Sequence, residues 1–240
     1  MTSRSKQTTG HMTAQSHIQK TATTKAFSTR AIFRPIALPA LILLLLLAPA
    51  MSGCGKLFDP GPAPARVHLF PTLPEPSSGP PIDKQLVIEA PGSGLDIDTD
   101  SIALLFNDRE VKYLSGYRWT SRTPVVFQRA VVDALMANQS LRGVTAEGSV
   151  LSADARLITD IKRFHLRYTD KNQPPTAEID AVMQLINQKD GSVVDSKYFQ
   201  ATTKATGNEV SQLMDAFEDT LAKILASSTP WIEQSMRSMR

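Results

Sequence analysis

The C-terminal end of the chain carries large apolar side chains at helical spacing. Intervals of three and four residues place them on one stripe: Val210, Leu213, Met214, Phe217, Leu221, Ile224 and Leu225. A stripe this regular is typical of a helix packed on a core, and each large side chain buried there contributes about 1.5–3 kcal/mol. We therefore predict a closing helix that supplies much of the folding energy.

A second apolar stripe predicts an earlier helix, from about Pro124 to Asn138. Thr123 is placed as its N-cap, and Pro124 suits the first turn, where the missing N–H of proline is not needed. The apolar residues that follow share one helical face: Phe127, Ala130, Val131, Ala134 and Leu135. We expect this face to pack on the same core.

Alternating apolar and polar positions indicate strands in the remainder of the chain from residue 84 onwards. They are Lys84 to Ala90, Ser101 to Phe106, Val111 to Leu114, Leu157 to Tyr168, Ala177 to Leu185 and Val193 to Ala201. The turn residues 107–110 predict a hairpin between the second and third strands. Asp190 and Gly191 are a strong signal for another hairpin.

The strand that ends at Tyr168 changes the parity of its apolar positions between Ile161 and Phe164. A β-bulge produces such a change because one extra residue is inserted on one side of the ladder. We therefore predict a bulge near Lys162 and Arg163.

The order of these elements predicts the fold class. Strands grouped around two helices are typical of α+β architecture. We expect a single domain at 84–228, with a mostly antiparallel sheet and two helices packed on one face, followed by a C-terminal tail at 229–240.

The N-terminal residues 1–53 have the pattern of a signal peptide. A basic stretch precedes the apolar run Ile36 to Ala50, which at about 15 residues is shorter than the ~20 that span a bilayer. The sequence Met51-Ser52-Gly53-Cys54 follows, and it resembles a bacterial lipobox, in which the cysteine is acylated before cleavage. Because Cys54 is also the only cysteine of the chain, we predict that it is lipidated, with palmitate among its acyl chains.

Residues 54–83 are rich in proline, with eight between Gly55 and Pro81. Such a composition favours extended polyproline conformation. We therefore expect a lipidated tether that holds the domain away from the bilayer. Within it, Val67 to Phe70 is apolar enough to form a short edge strand.

The charge distribution argues against nucleic acid as a partner. Of 26 basic and 23 acidic residues, six basic and no acidic ones lie at 1–53, so the rest of the chain has a net charge of −3. Nucleic-acid binding needs a clustered basic face. With one cysteine, and only His68 and His165 beyond the leader, we expect neither a metal nor a cofactor.

Three groups of residues suggest chemistry. Asp96, Asp98 and Asp100 have some of the spacing of a calcium loop, but Ser101 and Asn107 replace the glycine and glutamate that it needs, so a solvated turn is the favoured interpretation. A second hypothesis is a hydrolase that uses His165 with the nearby polar residues Ser152, Asp154 and Asp160. No glycine-flanked serine supports it.

The third group is the densest aromatic cluster of the chain. Its members could form a partner surface, because exposed aromatic and arginine side chains dominate binding hot spots: Tyr113, Tyr117, Arg118 and Trp119. Packing at the edge of the hairpin is the alternative.

Taken together, these motifs resemble the ABC-type transport auxiliary component lipoproteins, the PqiC family. The resemblance covers about residues 67–225 and rests on the lipobox, the strand from Leu86, the run Leu95 to Ile102, Tyr113, Arg118-Trp119, Pro124 to Gln128, Ala153-Asp154, Phe164 and Phe199. It implies a non-catalytic lipoprotein that is anchored in the outer membrane and faces the periplasm.

The resemblance also implies partners: a periplasmic MCE-domain protein with its ABC permease and ATPase, in lipid transport between the two membranes. Only Cys54 takes a defined chemical role from the family. A structural or assembly lipoprotein of the envelope is the alternative, and a homo-oligomer stays open.

Overall fold

The computed structural model describes residues 61–148 and 152–239. The strands of this part are β1 (Ala65–Val67), β2 (Ile82–Ile88), β3 (Gly92–Ser93), β4 (Ser101–Phe106), β5 (Glu110–Trp119), β6 (Leu141–Ala146), β7 (Ala155–Tyr168), β8 (Thr176–Asn187) and β9 (Val193–Lys204). The helices are α1 (Thr123–Asn138) and α2 (Val210–Ser238). Cys54 and the predicted signal peptide lie outside the described residues.

The long strand β7 organises the sheet. Along one edge it pairs with β8, which pairs with β9, and both ladders are antiparallel. Its other edge is shared end to end by β2, β3 and β4, all parallel to it. Beyond these, β6 joins β2 and β1 joins β5 in parallel, while β4 and β5 form an antiparallel hairpin. The longest ladders are antiparallel, so the predicted α+β fold with a mostly antiparallel sheet is confirmed.

Both predicted hairpins and the predicted bulge are present. Phe106 pairs with Glu110 across a three-residue turn, in which Asn107 and Asp108 have φ of 50° and 57°, the left-handed values that tight hairpin turns use. Gly191 has φ of 72° in the turn between β8 and β9. The register of β7 against β8 shifts between Ile161 and Arg163, where the apolar parity changes.

The two helices pack on one face of the sheet, which we call the inner face. In β8 the alternate residues that point to it are fully buried: Ala177, Ile179, Ala181, Met183 and Leu185. At the centre of the core, Phe217 of α2 stacks on Phe164 with ring centroids 5.2 Å apart, and Trp119 packs edge-on against both rings.

Helix α1 differs at its first residue from the sequence-based expectation. Thr123 is the first helical residue rather than the N-cap, a position that Arg122 occupies. The Thr123 hydroxyl instead donates to the carbonyl of Thr99, at 3.1 Å. That bond ties the start of α1 to the loop before β4.

Helix α2 continues past residue 228, so most of the predicted tail is helical. Pro230 lies inside the helix, where a proline costs about 3 kcal/mol. The helix nevertheless continues because Trp231, Ile232 and Met236 are buried in the core, at a gain of about 1.5–3 kcal/mol each. The ammonium of Lys84 donates to the carbonyl of Met236 and so satisfies the helix end.

The proline-rich stretch is a strap rather than a free tether where the structure describes it. Residues 61–81, here called the strap, run along the domain: β1 pairs with β5, and the Phe70 amide donates to Glu218. Ser77 binds the carbonyl of Asn138 and the carboxylate of Glu233. The edge strand comprises residues 65–67 rather than 67–70. The strap therefore belongs to the folded unit.

Neither α1 nor α2 combines the length and the apolar character that a membrane crossing requires, and this statement covers only residues 61–148 and 152–239.

Candidate docking surfaces

The four residues predicted to form a partner surface are divided between the two faces of the sheet. The β4–β5 register shifts between Ser101 and Ala103, and Gly116 of β5 has φ of 79°. This bulge reverses the alternation of side chains along β5. Tyr113 and Arg118 therefore share the outer face, whereas Tyr117 and Trp119 point to the inner face.

Trp119 is a core residue and is not available to a partner, because only 1% of it is exposed. Tyr117 is partly buried and packs against the same core. Tyr113 is 46% exposed and Val111, two residues earlier on the same face, is 42% exposed. The surface that remains is the outer side of the β4–β5 hairpin, which we call the hairpin face.

The acidic run before β4 joins elements together. Asp100 accepts hydrogen bonds from Arg66 of β1 at 2.7 Å and from Arg118 of β5 at 2.8 Å. These two guanidinium groups hold the pKa of Asp100 below its usual range, with the Arg66 bond the larger cause. Asp98 pairs with Arg122 at the start of α1. The arrangement fastens the strap, β5 and α1 to one loop.

A cluster of charged side chains lies on the outer face beside the hairpin. We call it the outer-face cluster: Arg163, His165, Arg167, Glu178, Asp180 and Tyr198. Glu178 is its centre, because its carboxylate accepts from Arg167 Nε at 2.6 Å and lies 3.2 Å from His165 Nε2. The Asp180 side chain is 2% exposed and lies 3.2 Å from Arg163.

Burial sets the protonation of this cluster. Burial lowers the pKa of His165 below its usual value, because the protonated imidazole would lose its hydration. The hydrogen bond and negative charge of Glu178 only partly oppose this effect. Burial also acts to raise the pKa of Glu178. The hydrogen bonds from Arg167 and His165 outweigh it, so the pKa of that carboxyl is lowered. At neutral pH the cluster contains a neutral imidazole and an ionised glutamate.

We expect acidification to destabilise the protein through His165. In the unfolded chain this imidazole binds a proton near pH 6.5, whereas in the folded protein it stays neutral to lower pH. The unfolded state thus binds more protons, and the free energy of unfolding falls as pH drops through this window. Urea denaturation at about pH 7.5 and about pH 5.5 measures it. His165→Gln should lose less stability than wild type over the same pH interval. A larger loss in His165→Gln would mean that the effect of Glu178 on the pKa of His165 outweighs that of burial.

The residues proposed for a hydrolase are not brought together. Asp154 precedes β7, and His165 lies eleven residues later on that extended strand, which corresponds to about 30–35 Å. Ser152 precedes Asp154 and is therefore still further from His165 in the sequence. Asp160 pairs with Lys162. The hydrogen-bond partner of His165 is Glu178, which is none of the residues proposed for the hydrolase.

An apolar groove, which the sequence-based analysis did not predict, lies between the strap and α1. It has a volume of about 170 Å³. Its lining consists of residues 68–71 and Leu73 of the strap, residues 120–121, one face of α1 from Val125 to Asp133, and Leu221 of α2. Phe70 is 77% exposed at its rim, and Leu73 and Val125 are 38% and 39% exposed. We call it the strap groove.

Crystal structures of other proteins share this class of α+β fold. A protein from Xanthomonas campestris, described under the family label DUF330, is 20% identical, with a TM-score of 0.65 over 72% of this chain and 97% of its own. An uncharacterized protein is 16% identical, with a TM-score of 0.55 over 71% of this chain and 99% of its own. At these identities the likeness shows the fold alone. None of the curated proteins matches the chain.

The chain belongs to the family of ABC-type transport auxiliary lipoprotein components, whose model matches residues 71–227. The resemblance inferred from the sequence is thereby confirmed. Membership makes the chain an envelope lipoprotein that accompanies an ABC-type transporter.

Proposed function

We propose that the chain is a lipid-anchored, non-catalytic auxiliary component of an MCE-type ABC system that moves lipid between the inner and outer membranes. The family match over residues 71–227 carries this proposal, because it assigns an auxiliary role in ABC-type transport to most of the folded domain. The anchor is Cys54, in the outer membrane, with the domain facing the periplasm.

The arrangement of the polar residues supports a non-catalytic role. The buried His165 side chain is hydrogen-bonded to Glu178. It lies about 30–35 Å along β7 from Asp154. An acid–base or nucleophilic mechanism needs its groups within about 3 Å of each other. The charged residues of the outer-face cluster instead pair with one another.

The length of chain before the fold supports docking close to the membrane. Eleven residues separate Cys54 from Ala65, the first residue of β1, and even fully extended they reach only about 36–40 Å. The domain therefore stays within a short distance of the bilayer that holds its anchor. We propose that the periplasmic MCE-domain protein reaches the domain there and brings its permease and ATPase into the same assembly.

The hairpin face is the surface that we propose for this docking. Tyr113 and Val111 expose large side chains there. The register places Tyr113 opposite Ala103 and the half-exposed Arg118 opposite Ser101, two residues away on β4. Aromatic and arginine side chains at the centre of an interface contribute most of the binding energy. Asp100 holds Arg118 in place, which lowers the entropic cost of presenting it.

We expect Tyr113→Ala to reduce co-purification of the MCE-domain partner by about tenfold or more, the effect of a hot-spot residue. The full chain is isolated from cross-linked cells, and the MCE-domain protein, permease and ATPase are quantified by mass spectrometry. Val193→Ala is the matched control, because Val193 is 56% exposed but lies on β9. Unchanged recovery with Tyr113→Ala would move the docking surface elsewhere. Absence of all three partners from the wild-type sample would contradict the proposed function.

A further inference from the structure

The rim of the strap groove combines apolar and charged side chains. Phe70, Leu73 and Val125 are all large, apolar and exposed, and they border one groove. Single exposed apolar side chains are ordinary on a protein surface, whereas a contiguous group with a polar border marks a binding site. The polar lining consists of His68, Thr120 and Ser121 together with Arg129 and Asp133 of α1, and only the last two carry a full charge at neutral pH.

Arg129 and Asp133 carry opposite charges that the described part of the chain leaves unpaired. Both side chains are exposed, and neither makes an ion pair or a side-chain hydrogen bond among residues 61–148 and 152–239. The nearby guanidinium groups of Arg118 and Arg122 are, in contrast, both paired with aspartates. Residues four apart on a helix are about 5–6 Å apart at Cβ. The groove thus presents one cation and one anion side by side.

We propose that the strap groove binds a zwitterionic phospholipid of the ethanolamine type. Arg129 donates to the phosphate, since a guanidinium binds the oxygens of a phosphate with two parallel hydrogen bonds. Asp133 accepts from the ammonium of the same head group. The first carbons of an acyl chain lie against Phe70, Leu73 and Val125. This inference rests on the proposed function in lipid transport and names the lipid class that the domain contacts.

The size of the groove determines how the lipid is held. Sites that enclose a whole small ligand have volumes of about 300–1,000 Å³, whereas this groove has about 170 Å³. Only the head group and the beginning of one chain fit. The rest of the lipid stays outside the domain, in the bilayer or on the partner, so the site serves a passing lipid rather than a stored one.

The lipid anchor brings the groove near its ligand. Fourteen residues separate Cys54 from His68, the first residue that lines the groove, and this length reaches at most about 46–50 Å. A domain anchored by Cys54 therefore keeps the groove within that distance of a bilayer. Phospholipid is consequently available to it at high effective concentration.

Photo-cross-linking of the full chain in cells tests the proposal. The variant Val125→p-benzoylphenylalanine places the reactive group at the groove, and Met136→p-benzoylphenylalanine is the matched control, since Met136 is 54% exposed on the same helix but does not line the groove. The expression host is chosen so that its membranes contain both phosphatidylethanolamine and phosphatidylglycerol. Adducts are identified by mass spectrometry of the peptides. Leu73, on the other rim, is the second position to be tested if the first variant does not fold.

We expect a phosphatidylethanolamine adduct at position 125 about tenfold above that at position 136. Arg129→Ala should reduce it about tenfold by removing the phosphate contact. In Asp133→Asn, lipid adducts should still form, but the preference for phosphatidylethanolamine should be lost. The ratio of phosphatidylethanolamine to phosphatidylglycerol adducts should then equal the ratio of these lipids in the membrane.

Three results would overturn the proposal: no adduct above the control, a polypeptide adduct in place of lipid, or equal enrichment of both lipids in the unmodified groove. Co-purification of the MCE-domain partner separates this inference from the proposed function. If the partner is recovered but no lipid adduct forms, the groove assignment alone fails. If lipid adducts form without any transporter partner, the proposed function fails.

Discussion

Trp119→Ala should lower the free energy of unfolding by about 3–5 kcal/mol, the cost of deleting a large aromatic side chain from a core. Trp119 is 1% exposed, and its ring packs edge-on against Phe217 at 5.2 Å and against Phe164 at 5.9 Å. The substitution leaves a cavity between β5, β7 and α2. Because domains of this size have a total stability of about 5–15 kcal/mol, the variant should be only marginally folded.

Tyr113→Ala is the matched control for this experiment. It lies on the same strand but is 46% exposed on the opposite face, so its loss should cost less than about 1 kcal/mol. Urea denaturation followed by far-ultraviolet circular dichroism compares the two variants without relying on tryptophan fluorescence. A cost below about 1 kcal/mol for Trp119→Ala would mean that the ring is exposed in solution, and the original partner-surface prediction would then hold for it.

The position of Trp119 shows what the sequence could not predict about β5. Alternation along a strand predicts faces only when no residue is inserted, and the apolar pattern from Val111 to Trp119 gives no clear parity. In β7 the parity change between Ile161 and Phe164 is carried by large apolar residues, so the bulge there was predictable. In β5 the only sign is Gly116, whose left-handed φ is known only from the structure.

The ends of the domain differ from the prediction for a related reason. A proline-rich stretch and an internal proline are local signals against regular structure, and both were predicted to lie outside the fold. Tertiary contacts override them: the strap is held by Glu218 and Glu233 of α2, and Trp231 donates to Asp195 of β9 at 2.7 Å. Contacts between residues far apart in sequence are not visible in a local pattern.

The candidate surfaces were predictable to different extents. Tyr113 and Arg118 are identified by residue type alone, and the structure places both on the hairpin face. Glu178 and Asp180 stand within an otherwise apolar strand, which is a sequence signal for a paired polar cluster on the second face. The strap groove depends on how the strap crosses α1, and no pattern in the sequence brings Phe70 to Arg129.

Cys54→Ala should abolish fatty-acid labelling and release the protein from the membrane fraction. The proposed anchor of three acyl chains would gain about 0.8 kcal/mol for each buried methylene, which would make its attachment effectively permanent. Without it, only surface contacts such as the strap groove and the transporter partner hold the protein. Those contacts are non-covalent, and the charged part of them is screened by salt.

Fractionation before and after a high-salt wash distinguishes the two kinds of attachment. Wild-type protein should stay in the membrane pellet through the wash, whereas any Cys54→Ala protein that sediments should be released by it, because its remaining contacts are peripheral. Lys56→Ala, two residues after Cys54, is the control and should behave like wild type. Persistent labelling of Cys54→Ala, or wild-type protein that washes off, would contradict the lipid anchor and with it the estimate of how far the domain extends from the bilayer.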